Sequence, residues 1–169
     1  MEILEDTILF PQGYYFTVSQ VHTDKKISKE KITEINLNTF PPSFVLDDKE
    51  VIFVAYDGKA QLEHFGLKNN INIVERFDIW EHINQPFLDT EFDLAEKADT
   101  LNPLAKNGVS EEETIAIRKK IKSVMNANFF AWEWIYLGQF DYLMWAKPLT
   151  VETYAWSMEI ALRNYREKK

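Results

Sequence analysis

Cysteine is absent from this 169-residue sequence, and glycine and histidine are scarce, with five and three residues. The absence of cysteine excludes disulfide frameworks, thiolate zinc sites, iron–sulfur clusters and cysteine nucleophiles. With so few glycines, and without a P-loop or a G-x-G-x-x-G pattern, the sequence specifies no nucleotide, flavin or pyridoxal site. The histidines are scattered and form no H-E-x-x-H or E-x-x-H pattern. We therefore predict neither a cofactor nor a bound metal ion.

Basic residues are outnumbered: 19 Lys and Arg face 27 Asp and Glu, which gives a formal net charge of -8. Residues 71–99 alone hold eight acids against two bases. Nucleic-acid binding draws its affinity largely from basic groups that displace counterions, so we predict no nucleic-acid partner. An acidic face suits a basic protein partner, a cation, or solubility alone. The candidate residues for a partner-binding face are Glu75, Asp78, Glu81, Asp89, Glu91 and Asp93.

Long uncharged hydrophobic runs are also missing. The opening segment MEILEDTILF carries acids where a secretory signal carries Lys or Arg, so we expect no cleaved export signal and a cytoplasmic protein. Residues 127–146 approach the length of a membrane span, but Glu133 and Asp141 would each cost about 2.5 to 3.5 kcal/mol within a bilayer. We therefore predict a buried helix here and no membrane association.

The first 70 residues carry most of the alternating and β-branched pattern that is typical of strands. The segment VIFVAYDGKAQLEHF, residues 51–65, predicts a β-hairpin whose turn is Asp57-Gly58, because Gly supplies the positive φ of a type I′ turn. Further strands are predicted at Tyr14–Val21 and Ile32–Leu37. Together these segments predict an antiparallel sheet.

From residue 73 the apolar spacing becomes that of helices. It predicts an amphipathic helix over residues 73–85, ended by Pro86, and a second over residues 94–106, ended by Asn107-Gly108. Residues 111–146, with Ser110 as the cap, predict one long helix, or two if Asn126–Asn128 breaks it. A last helix begins after Thr150.

The predicted fold class is α+β, a small amino-terminal antiparallel sheet of about four strands followed by a bundle of about four helices. We predict a single domain over residues 1–169, with a β-rich lobe at 1–70 and an α-helical lobe at 71–169. The order of a short β lobe, an acidic helix and an aromatic helix resembles small bacterial proteins in general terms. That similarity is too broad to transfer any functional residue.

An aromatic segment, NANFFAWEWIYLGQFDYLMW at residues 126–145, contains Glu133 with no charged neighbour one helical turn away. Such a carboxylate is either a structural acid, paired with Arg76, a Tyr hydroxyl or a Trp indole, or a functional group in an aromatic-lined pocket. Asp141 lies about 12 Å further along a helix and about 80° around it, too far for a shared-proton pair, and we expect it at the surface or paired with Lys147. The pocket candidates are Glu133, Phe129, Trp132, Tyr136, Phe140, His82 and Glu91.

The sequence favours a binding module over an enzyme, because it contains no recognised catalytic motif. The acidic segment and its aromatic residues would hold a basic protein partner, as in an immunity-like inhibitor of a basic toxin. The alternative is a small-molecule-binding protein or enzyme with Glu133 as the central carboxylate. A third interpretation makes the aromatic helix the seam of a homodimer.

Overall fold

The computed structural model describes residues 1–87, 94–129 and 137–166, and the description leaves out the side chains of residues 94–99, 128, 129 and 166. Within these residues the fold is mixed α+β, with two sheets and eight α-helices. The predicted class is therefore confirmed, but one sheet and about four helices were expected, so the counts are wrong. The chain divides into two compact units, Met1–Arg76 with Leu149–Met158, and Phe77–Pro148 with Glu159–Lys169. The single-domain organisation stays a prediction.

The first unit begins with a three-stranded antiparallel sheet in the order β1–β2–β3. Ile8 of the central strand β2 pairs with Ile3 of β1 on one side and with Ile27 of β3 on the other. Ile8 and Ile27 are almost fully buried, so the sheet contributes apolar side chains to the core of this unit. The strands are β1 (Glu2–Ile3), β2 (Thr7–Leu9) and β3 (Lys26–Ser28).

A four-stranded mixed sheet follows in the order β6–β5–β4–β7. Its strands are β4 (Ile32–Asn36), β5 (Ser43–Leu46), β6 (Glu50–Phe53) and β7 (Ile73–Val74). Neighbours among β4, β5 and β6 are antiparallel, whereas β7 runs parallel to β4. Asp47 and Asp48 close the β5–β6 hairpin with φ values of 51° and 57°, a left-handed conformation that Asp tolerates better than most residues.

Two helices, α1 (Gln20–Asp24) and α2 (Lys59–Lys68), complete residues 1–76 of the first unit. The Ser19 side chain caps α1, because its Oγ accepts a hydrogen bond from the N–H of Val21 at 3.1 Å. The α2 helix buries Leu62, Phe65 and Gly66. Parallel strands need a long connection, and residues 37–72, which include α2, supply it between β4 and β7.

The rest of the described chain is helical. In the second unit Trp80 and Tyr142 stack with ring centroids 4.6 Å apart and planes 11° apart, and both are buried. The helix α7 has residues in both units, because the first unit includes residues as far as Met158. The helices are α3 (Ile79–Asn84), α4 (Leu94–Lys106), α5 (Glu111–Phe129), α6 (Gln139–Trp145), α7 (Val151–Ala161) and α8 (Arg163–Arg166).

Several predicted elements are confirmed. The strand predicted at 32–37 is β4, and the helix predicted at 94–106 is α4. Ser110 caps α5 through a hydrogen bond from the N–H of Glu113 at 3.2 Å. Thr150 caps α7 in the same way, through the N–H of Thr153 at 3.2 Å. For the helices the local signal was a capping side chain or a helix-ending glycine.

The predicted hairpin at Asp57-Gly58 is wrong. Residues 56–58 form a single 3-10 turn that leads directly into α2. Gly58 has a φ of −84° and no need of the left-handed region. Helical spacing of the buried residues Leu62 and Phe65 overrides the dipeptide signal, because it lets one face of α2 enter the core.

The helix predicted at 73–85 is also wrong in its first half. Residues 73–74 form β7, and α3 begins only after Asp78, whose side chain caps it. The strand predicted at 14–21 is absent from the described structure of that segment. Tyr14 and Phe16 are buried in a loop, where their rings pack edge to face 5.7 Å apart, and α1 follows.

The single helix predicted for residues 111–146 is wrong as well. Within the described residues α5 ends at Phe129, Leu137 and Gly138 are not helical, and α6 begins at Gln139. The helix passes through Asn126–Asn128, so these residues do not break it. None of the helices in the described part of the chain is long and apolar enough to cross a membrane.

Candidate functional site

The predicted partner face divides between the two units. Glu75 is exposed in the first unit, whereas Asp78 and Glu81 belong to the second. Asp78 caps α3, because its Oδ1 accepts from the N–H groups of Trp80 at 3.0 Å and Glu81 at 3.1 Å. Burial raises the pKa of the half-buried Glu81, and the charge of Asp78 raises it further. Outside the described residues lie Asp89, Glu91 and Asp93, so the face as a whole stays a prediction.

The predicted aromatic pocket also stays a prediction. Of its candidates, His82 and Phe140 are described, and both are half-buried in the second unit. The His82 ring packs on Phe77 with centroids 4.1 Å apart, and its Nδ1 lies 3.1 Å from the carbonyl oxygen of Asp78. These contacts hold His82 against the start of α3. The side chain of Phe129 is outside the description, and so are Glu133, Trp132, Tyr136 and Glu91.

The expectation that Asp141 lies at the surface or pairs with Lys147 is wrong. Asp141 is 9% exposed, and its Oδ2 accepts a hydrogen bond from the N–H of Gly138 at 2.9 Å, which caps the start of α6. Burial raises the pKa of Asp141 to about 6, hydrogen bonds from backbone N–H groups oppose the rise, and the charge of Asp78 adds to it. The carboxylate is therefore a structural cap held in a costly environment.

Arg118 is a half-buried cation that the sequence did not single out. Its Nε donates to the carbonyl oxygen of Ile83 at 3.0 Å, and its Nη2 donates to that of His82 at 2.9 Å and to Thr100 Oγ1 at 3.2 Å. Burial lowers the pKa of Arg118 to about 10. A cation beside the last carbonyl groups of α3 opposes the negative end of the helix dipole, so its described contacts are structural.

The first unit carries two adjoining cavities, with volumes of about 670 Å³ and 790 Å³. Both are lined by Met1, Glu2 and Gln61, so together they form one groove, which we call the β1–α2 groove. The wall of the first cavity includes Phe10, Gly13, Tyr15, Phe53, Asp57 and Gly58. The second cavity lies between residues 1–5 on one side and five residues of α2 on the other: Ala60, Gln61, His64, Phe65 and Lys68.

The wall at residues 10–15 is fixed by its own packing. Gly13 has a φ of 87°, and a Cβ there would lie 2.7 Å from the ring of His22, so only glycine fits. His22 Nδ1 in turn lies 2.7 Å from the carbonyl oxygen of Tyr14. The Tyr14 hydroxyl accepts a hydrogen bond from the N–H of Phe53 at 2.8 Å. The groove therefore has a preformed wall that a ligand need not order.

The groove has an acidic lining. Its charged side chains are the carboxylates of Glu2, Glu5 and Asp57 and the ammonium group of Lys68, and Met1, which carries an α-amino group, also lines both cavities. Lys68 Nζ bonds to Glu5 Oε1 at 2.8 Å, and this hydrogen bond lowers the pKa of Glu5. Glu2 and Asp57 are exposed at the groove, where a bound cation could reach them.

Exposed aromatic rings lie on the same unit. Tyr15, in the wall of the groove, is 60% exposed. Tyr56, next to the lining residue Asp57, is 61% exposed and packs on the half-exposed Phe40 with centroids 5.5 Å apart. Large exposed aromatic side chains are costly to leave in water and are enriched at protein interfaces.

The sequence did not reveal this groove because it depends on α2, which was predicted as a hairpin. The sequence did contain a pattern that predicts this helix. Leu62, Phe65 and Gly66 recur at helical spacing and are buried. Beside them lie the groove-lining residues Gln61, His64 and Lys68. Within the described residues no cluster of three or more acidic or histidine side chains could hold a metal ion. No family model, curated protein or solved structure matches this chain.

Proposed function

We propose that the protein is a binding module that holds a basic protein partner in the β1–α2 groove. The lining of the first cavity supports this most directly. It combines the exposed aromatic ring of Tyr15 with the carboxylates of Glu2 and Asp57, and its residues include no lysine or arginine. Aromatic side chains anchor partners, and complementary charge selects them and speeds their arrival.

The groove can hold a cationic side chain by two kinds of contact. A Lys or Arg placed over the ring of Tyr15 gains about 0.5 to 1 kcal/mol at an exposed site. Each pairing with a carboxylate at the rim adds about 0.2 to 1 kcal/mol, because water screens exposed charges. Such contacts are individually weak, so specificity comes from several of them acting on one segment.

The charge of the whole chain acts in the same direction. A net charge of -8 attracts a basic partner over a distance of about 10 Å at 0.1 M salt. An inhibitor of a basic toxin in the cytoplasm is one protein of this kind, and the acidic segment at residues 71–99 would extend its steering field. The Glu133 pocket and the homodimer seam remain separate predictions.

The experiment uses a positional-scanning library of acetylated nonapeptide amides and the ¹⁵N-labelled full chain. Each pool of the library fixes one residue type at one position of the peptide. We expect pools that fix Lys or Arg to shift the amide resonances of Tyr15, Asp57 and Gln61 more than pools that fix Asp or Glu. The association rate of the best peptide should fall as ionic strength rises. The proposal is wrong if no pool binds with a Kd below about 1 mM, which corresponds to a binding free energy of roughly −4 kcal/mol. It is also wrong if the resonance shifts lie away from the groove.

Matched variants separate the groove from the general acidity of the protein. Asp57→Asn should weaken the best basic peptide by about 0.2 to 1 kcal/mol, whereas Glu63→Gln should leave its affinity unchanged. Glu63 is an exposed acid of α2 that is not among the residues lining either cavity. Equal effects of the two substitutions would show that the peptide responds to net charge and not to the groove.

A further inference from the structure

We propose that the partner segment binds as an extended strand added to the edge of β1, an inference that rests on the proposed function. Strand addition is a common way to hold a peptide, because main-chain hydrogen bonds give affinity and alternate side chains enter pockets. Three features of the first unit support it: the shape of the second cavity, the register of β1, and the state of another sheet edge.

The second cavity has the shape that an added strand requires. One side is residues 1–5, which contain the edge strand β1, and the other is one face of α2. The α2 residues that line it recur at helical spacing, Ala60, His64 and Lys68 in one row and Gln61 and Phe65 in the next. An extended segment between a strand edge and a helix face would run alongside β1.

The register of β1 leaves a main-chain pair pointing outward. The N–H of Leu4 bonds to the carbonyl oxygen of Thr7 at 2.9 Å, so this position is a hydrogen-bonded pair of the antiparallel ladder. Such pairs alternate with non-bonded pairs, and the next pair along is Ile3 with Ile8. Ile3 therefore turns its own N–H and carbonyl group away from β2, toward the open side of the sheet.

A strand edge in the second sheet is already occupied. On β6 the N–H of Val51 donates to Met158 Sδ at 3.2 Å, and the N–H of Phe53 donates to the hydroxyl of Tyr14 at 2.8 Å. Side chains thus close that edge to an added strand. At β1, Asn69 Nδ2 donates to the carbonyl oxygen of Glu5 at 2.8 Å, beyond the end of the strand, whereas the edge at Ile3 borders the cavity.

The lining also defines the kind of segment. Ile3, Leu4 and Phe65 offer apolar surface, while Glu2 and Glu5 offer carboxylates beside the same strand. Side chains of a strand alternate between its two faces, so Glu2 and Leu4 share one face and Ile3 lies on the other. Because an apolar and an acidic side chain share a face, the segment should carry apolar residues together with Lys or Arg. The occupant is therefore an extended segment of a partner protein that combines apolar and basic residues.

The test is an N-methyl scan of the best peptide from the library, with affinities measured on the full chain by fluorescence anisotropy. N-methylation of the peptide residue opposite Ile3 removes a main-chain donor to β1 and should weaken binding about three- to tenfold. The N–H groups of the peptide residues on either side point away from β1, so their methylation should change the affinity less than twofold. An affinity that depends equally on every position, or on none, would overturn strand addition.

A protein variant tests the other half of the same hydrogen-bonded pair. Ile3→Pro removes the outward N–H and should weaken the peptide about three- to tenfold, while Ile3→Val keeps it and should change affinity less than twofold. Circular dichroism checks that Ile3→Pro folds, and the N-methyl scan decides if it does not. Peptides that shift the groove resonances but tolerate N-methylation at every position would refute strand addition and leave the proposed function intact, whereas absence of binding refutes both.

Discussion

Asp141 gives the sharpest test of the energetics, because burial raises its pKa to about 6 from an ordinary value of 3.8. The folded protein therefore holds this proton more tightly than the unfolded chain. The stability that comes from protonation is fully present below pH 3.8 and is lost as the pH rises through about 6. At about 1.4 kcal/mol for each factor of ten in proton affinity, the loss amounts to about 3 kcal/mol.

The perturbation is Asp141→Asn, which deletes the charge and keeps an oxygen that can accept from the N–H of Gly138. Urea unfolding of both proteins, followed by tryptophan fluorescence from pH 4 to 7.5, measures the difference in the free energy of unfolding. As the pH rises, the free energy of unfolding of the variant should increase relative to that of the wild type, by as much as about 3 kcal/mol at pH 7.5.

The matched control is Asp24→Asn, an exposed acid of α1, which should change the free energy of unfolding by less than about 0.5 kcal/mol at any of these pH values. The reasoning is refuted if the difference between wild type and Asp141→Asn stays constant across the range. It is also refuted if wild type becomes the more stable protein at pH 7.5.

Two further predictions concern the first unit. Glu34→Ala should lower the free energy of unfolding by about 3 to 5 kcal/mol in a thermal melt. The reason is that Arg76 Nε bonds to Glu34 Oε1 at 2.7 Å and both side chains are about nine-tenths buried. A loss of less than about 1 kcal/mol would contradict this prediction. Tyr154→Phe should cost about 1.5 to 3 kcal/mol in urea, because burial raises the pKa of Tyr154 and its protonated hydroxyl donates to Glu50 Oε1 at 2.6 Å. Val151→Ala, exposed on the same helix, is its control, and equal losses would count against the hydrogen bond.

The sequence predicted the elements whose ends are marked by local chemistry. The helix Leu94–Lys106 has the predicted bounds, and it stops where Gly108 takes a φ of 81°. Capping by Ser110 and Thr150 was equally readable, because a cap involves residues only three apart. These signals need no knowledge of the rest of the chain.

Elements that depend on distant partners could not be predicted in this way. Ile73 and Val74 form a strand because they lie beside Ile35 and Asn36 of β4, about forty residues earlier, although their spacing fits a helix. A Cβ at Gly66 would lie 2.8 Å from Ile35 Cδ1 and would have to displace that side chain, a contact that no local pattern reveals. The β1–α2 groove combines residues 1–5 with residues 60–68, so its lining was equally hidden.

The closing of the β6 edge by Met158 has a consequence for synthesis on the ribosome. Tyr154 and Met158 belong to the first unit, yet they are made after the whole of residues 77–148. Until then Val51 lacks its sulfur acceptor and Glu50 lacks the Tyr154 hydroxyl. A nascent chain that has emerged only as far as residue 148 therefore carries a β-rich unit whose β6 edge is closed at Phe53 by Tyr14 but open at Val51, and an open strand edge favours pairing with other chains.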